Sequence, residues 1–155
     1  MPLINILQQL EKDQKVEFYV PSSVWVEQIT TQSPKHLPNY LRRIKESTEI
    51  LELATVGRAR IGKARIGITE RVSVINKINS ICFPSLEWSD LSYSQITDVL
   101  SIEACIAFNI DYFLTLDKKH MIDRGRKKAL EELGIKVRYG RDASFLTEIS
   151  VRLTL

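Results

Sequence analysis

Cysteine is scarce in this chain: Cys82 and Cys105 are the only two in 155 residues. They make neither a disulfide framework nor a metal-ligand spacing, so a stapled secreted fold and a zinc module are both excluded, and a reducing, cytoplasmic setting is expected. Cys105 sits in an apolar run, where a free thiol behaves as a small hydrophobe. Long apolar runs are also missing. No stretch approaches the ~20 residues that a membrane-crossing helix needs. No signal-peptide pattern opens the sequence, and Met1-Pro2 leads straight into a helix-like pattern carrying acids and bases. Nucleotide-binding loops are lacking too. Gly57, Gly62 and Gly67 recur every five residues, but without the Lys-Ser/Thr ending of a phosphate-binding loop and with no strand before them. A small-molecule-binding α/β domain is therefore the weakest of the functional readings.

What is present is an ordinary globular composition, 44% hydrophobic and 26% charged, which excludes disorder. The length suits one domain with one sizeable core. The formal net charge of +3 says less than its distribution. Between Pro34 and Lys77 there are ten Lys or Arg against four Glu, a local excess of +6. That excess suits a polyanionic partner, or else a solvated helical face. Within it, Arg58, Arg60, Lys63 and Arg65 punctuate Gly57 to Gly67. This stretch reads either as a basic loop contacting phosphates or as a solvated connection.

The chain is organised around Ile96 to Asp117. A helix is expected from about Ser94 to Phe108, apolar on nearly every face through Ile96, Val99, Leu100, Ile102, Ala104, Ile106, Ala107 and Phe108, as suits a buried position. Ser94, Asp98 and Ser101 form one narrow polar stripe on it. A carboxylate on a mostly buried helix is costly unless compensated. Asn109 ends the helix, Asp111 to Thr115 reads as a strand, and Asp117 lies just beyond its C-terminal end, where open α/β sheets bind ligands. Asp98 and Asp117 are thus expected to meet.

Elsewhere, Leu3 to Glu11 has helical spacing, and Val16 to Val20 reads as a strand buried on both faces and stopped by Pro21. Ser22 or Ser23 caps a helix carrying Glu27, on its own a plain surface glutamate. Asn39 to Val56 reads as a long helix, and Thr69 to Ile81 as another, ended by Pro84. Asp90 reads as an ordinary turn aspartate. A further helix is expected through Met121 and Leu130 to Leu133, its basic residues Arg124, Arg126, Lys127 and Lys128 forming a solvated face and Gly134 its C-cap. Ile135 to Tyr139 alternates like an edge strand, and Asp142 or Ser144 caps a last helix from Phe145 to about Leu153.

The central stretch resembles the PIN-domain nucleases. The resemblance is carried by Thr97-Asp98 at the start of the buried helix, the small and apolar residues Ala104 to Ala107, and the "T-x-D" step Thr115-Leu116-Asp117. Tyr19-Val20-Pro21 leading to Glu27, and Gly134 to Val137 followed by Phe145-Leu146, add to it. It implies one PIN-like domain over residues 1–155, α/β in class, with three α/β/α layers around a mainly parallel central sheet. It also implies a metal-dependent ribonuclease, of a kind that includes bacterial toxins, in which Glu27, Asp98 and Asp117 are catalytic and hold Mg²⁺ or Mn²⁺, with Thr115 orienting a ligand or water behind them. The implied partners are RNA, a small antitoxin-like protein or a second copy of the chain. One departure stands out: the family's opening strand, with the first aspartate of a "D-T-N" style motif, is not found, so the fold reads as N-terminally incomplete. A start assigned too late, a lost strand or a degenerate remnant in Met1 to Ile6 would each account for it. The alternative function is a catalytically impaired PIN-like module that binds RNA or a protein.

Overall fold

The computed structural model describes residues 3–21, 48–50 and 69–154. In chain order these form α1 (Leu3–Lys12), β1 (Tyr19–Pro21), β2 (Thr48–Ile50), α2 (Thr69–Cys82), a 3-10 turn (Trp88–Asp90), α3 (Tyr93–Ala107), β3 (Tyr112–Thr115), α4 (Lys118–Met121), α5 (Arg126–Glu131), β4 (Lys136–Tyr139) and α6 (Ser144–Thr154). The protein is of mixed α/β type. Among the described residues the strands pair in two parallel couples, β1 with β2 and β3 with β4. No helix among them is long and apolar enough to cross a membrane.

β3 and β4 run in register, Tyr112 opposite Lys136 and Thr115 opposite Tyr139. Phe113 and Val137 face each other on one side, where they join the larger core with Ile78 of α2, Val99 and Ile102 of α3 and Leu130 of α5. On the other phase, Tyr112 and Leu114 pack with Leu7 of α1 and with Phe145 and Ile149 of α6. Successive strand residues point to opposite faces, so β3 is covered by helices on both.

The elements around the central stretch match expectation, and several others do not. β1 ends on Pro21, as expected to within a residue, but starts only at Tyr19 instead of Val16; a strand end tolerates proline because no further ladder donor is needed there. The expected strand is also less enclosed than its apolar run suggests: Val16, ahead of β1, is half-buried and Tyr19 is 36% exposed. Within the expected long helix of Asn39 to Val56, Thr48 to Ile50 is instead a strand, paired with Tyr19 to Pro21. The expected helix from Met121 to Leu133 is two helices, because Arg124 and Gly125 both take left-handed backbone (φ 56° and 78°). Gly134 does adopt positive φ, at 101°, after α5. The helix of Glu27 and the glycine-spaced basic stretch lie outside the described residues.

Candidate active site

α3 begins one step before Tyr93, at Ser92. The Ser92 hydroxyl accepts from the Gln95 N–H at 3.2 Å, and the Gln95 side-chain carbonyl accepts from the Ser92 N–H at 2.8 Å. This capping box satisfies two donors that a helix start otherwise leaves open. The other end closes on Asn109, in left-handed backbone at φ 53°. There the Asn109 N–H donates to Ile106 O and the Ile110 N–H to Cys105 O, the paired bonds of a Schellman ending. The chain reverses tightly and enters β3.

That reversal carries the chain from Asp98 on α3 to Asp117 just past β3. Asp98 lies nine residues before the end of α3, about 14 Å along a helix. Thr115 to Asp117 lies about 10–16 Å along the strand direction from Tyr112. Helix and strand are in contact, and the two lengths are similar. Asp98 itself is half-buried on α3.

The "T-x-D" step has a physical basis. Thr115 is buried, and its hydroxyl accepts from the Asp117 N–H at 2.9 Å, which fixes the turn out of the strand. Asp117 then caps α4: its Oδ1 accepts from the His120 N–H at 3.0 Å, and its Oδ2 lies 2.8 Å from His120 Nδ1. Both side chains keep about a third of their surface open, 34% for Asp117 and 31% for His120. The His120 ring tilts against buried Phe83, centroids 5.2 Å apart. Arg126 joins the same corner, donating to Ile81 O at 3.1 Å and to Lys119 O at 2.9 Å. It therefore ties the end of α2 to α4 and is not part of a solvated face.

Beneath these groups lies Cys82, fully buried. Burial pushes its thiol up to about 12, and the negative charges of Asp98 and Asp117 add to the rise while Arg126 opposes it. Two consequences follow. The thiol stays protonated at neutral pH and is no nucleophile. Both carboxylates are within electrostatic reach of the same buried thiol.

The carboxylate that α3 buries completely is Glu103, which the stripe of Ser94, Asp98 and Ser101 does not include. It meets Arg71 of α2, with Arg71 Nε donating to its Oε1 at 2.8 Å. Ser94 is exposed and Ser101 buried, its hydroxyl donating to Thr97 O at 2.7 Å. Phe108, expected inside, is 45% exposed. Asp90 is exposed in the 3-10 turn.

Of the expected site residues, Thr115 and Asp117 are joined by a hydrogen bond at the C-terminal end of β3, and Asp98 lies half-buried on the helix that leads into that strand. Glu27, Arg58, Arg60, Lys63 and Arg65 lie outside the described residues. Among the described residues, no three His, Cys, Asp or Glu side chains are grouped to hold a metal ion. His120 and Arg126 are additions that periodicity does not reveal, although Asp117 and His120, three apart after a strand, carry the spacing of a helix cap.

No protein-family model matches the chain, and neither the curated proteins nor the solved structures contain a match to it.

Proposed function

We propose that this protein is a metal-dependent ribonuclease of PIN type, built as a three-layer α/β/α domain. The observation that carries the reading is Asp117 placed just past the C-terminal end of β3, with Asp98 on the preceding helix and both carboxylates within electrostatic reach of the buried Cys82. The donor chemistry suits Mg²⁺ or Mn²⁺. Hard cations take carboxylate oxygens, and the nearby sulfur is a protonated thiol while the His120 Nδ1 is engaged by Asp117. Glu27 is assigned as the third carboxylate.

Bound there, the cation supplies charge neutralisation at the phosphate and a more acidic water. The chain's own contribution is positional. Thr115 fixes the turn that presents Asp117, the α4 cap holds its carboxylate, and the reversal at Asn109 turns the helix of Asp98 into β3. Arg58, Arg60, Lys63 and Arg65 contact the RNA backbone. The setting is cytoplasmic, with a small antitoxin-like protein or a second copy of the chain as further partners.

The test is RNA cleavage in Mn²⁺ or Mg²⁺ by the wild type beside Asp98→Asn and Asp117→Asn. Metal-requiring cleavage that falls by at least about 100-fold in both variants is expected, the scale on which groups that stabilise transition-state charge act. Folded wild type that leaves RNA intact would overturn it. A second reading, a PIN-like module that binds RNA or a protein without cutting, is favoured by one observation: Asp117 already serves as the cap of α4 and the partner of His120, a role that needs no catalysis.

A further inference from the structure

We propose that His120 is a positioning residue for the cation site, its ring fixing the plane in which the Asp117 carboxylate is presented. The inference rests on the reading that Asp117 is a metal ligand.

Two bonds hold Asp117, and they differ in kind. Oδ1 accepts from the backbone N–H of His120 at 3.0 Å, a bond that any residue at 120 except proline supplies. Oδ2 meets the ring Nδ1 at 2.8 Å, a bond that depends on the side chain at 120. A carboxylate whose oxygens are bonded at two separate points cannot turn about its last side-chain torsion. An ionised carboxylate only accepts, so Nδ1 carries the hydrogen in this pair. Each oxygen has a further lone pair after accepting one bond, which leaves Asp117 able to bind outward while its plane is held.

The ring is itself held. Phe83 lies against it at 5.2 Å, and Phe83 is buried at the end of α2. Arg126 keeps the two backbones together, reaching Ile81 O on one side and Lys119 O on the other. The order of support therefore runs from the larger core through Phe83 to His120 and from His120 to Asp117. Partners of this outer kind typically account for about 10–100-fold of metal affinity.

The imidazole can be dissected without touching the helix cap, because the bond to Oδ1 comes from the backbone. Asn in place of His120 keeps a donor where Nδ1 stands. Gln places its donor where Nε2 stands, and Ala removes both. The experiment is a calorimetric titration of the full 155-residue chain with Mn²⁺, for wild type, Asp117→Asn, His120→Asn, His120→Gln and His120→Ala, with folding checked by circular dichroism. The expected result is binding by wild type, no binding by Asp117→Asn, weakening of about tenfold or more in His120→Ala and His120→Gln, and near-wild-type affinity in His120→Asn.

If wild type binds and Asp117→Asn does not, while His120→Ala matches wild type or His120→Asn is as weak as His120→Gln, the role of His120 is overturned and the metal reading stands. If wild type binds no Mn²⁺, the metal reading falls and takes this inference with it.

Discussion

Glu103 and Arg71 sit 32 positions apart, and their contact at 2.7 Å fastens α2 to α3. Glu103 is fully enclosed, and Arg71 keeps a quarter of its surface open. Removing one partner of a buried pair is destabilising, by up to roughly 3–5 kcal/mol. Arg71→Met is therefore expected to lower stability by about 3 kcal/mol, the lower end because Arg71 is partly solvated. The double variant Arg71→Met with Glu103→Leu is expected to recover most of it. Urea unfolding checks both, and an Arg71→Met midpoint equal to wild type would show that the pair contributes nothing. The sequence places Asp98 on the polar stripe of α3, and there the structure leaves it half-buried. It does not reveal Glu103, because spacing along one helix says nothing of a partner carried by another.

At the scale of elements, β4 and α6 are joined by a fork. Arg138 Nε donates to Glu148 Oε2 at 2.7 Å and Nη2 to Oε1 at 2.8 Å, while Nη1 reaches Glu131. The Arg138 guanidinium pulls the Glu148 carboxyl from its ordinary 4.5 down to about 2, aided by the Tyr112 hydroxyl. A folded-state value below the unfolded one means the pair stabilises the fold above about pH 4.5 and gives up that contribution as pH falls toward 2. The stability difference between wild type and Glu148→Gln is thus expected to be constant near neutrality and to shrink through acid. Denaturation midpoints from about pH 7 down to about pH 2 test this. A gap that widens in acid would contradict it.

How readily an element could be read from the sequence follows the range of the forces that make it. α3, β3, β4 and α6 declare themselves by local periodicity and local caps, so their bounds fall close to expectation. β2 does not. Thr48-Glu49-Ile50 sits in a pattern compatible with helix, and its strand character comes from pairing with Tyr19 to Pro21, far off in the chain. The break between α4 and α5 is local, but it depends on Arg124 and Gly125 adopting left-handed backbone together, and an arginine gives no warning of that.

For the whole molecule, the net charge of +3 conceals the excess held between Pro34 and Lys77. If Arg58, Arg60, Lys63 and Arg65 contact phosphates, changing all four to Gln flattens the dependence of log affinity on log salt. The slope falls by about 0.7 for each phosphate of a single strand that is no longer neutralised. Fluorescence anisotropy with a labelled RNA over a range of KCl measures the slope, and a slope identical to wild type rules these phosphate contacts out.

The two aspartates are joined by one helix, one reversal and one strand in an unbroken stretch of chain. Their relative placement therefore depends on the number of residues between them as well as on the core that α3 and β3 share. One residue inserted in α3 after Asp98 would swing that carboxylate by about 100° and lift it by about 1.5 Å, with no compensation available from the rest of the fold. The stretch works as a ruler. Loops elsewhere can change length at little cost, whereas between Asp98 and Asp117 the chain is held both in its number of residues and, through the buried Val99, Ile102, Glu103 and Ala104, in their kind.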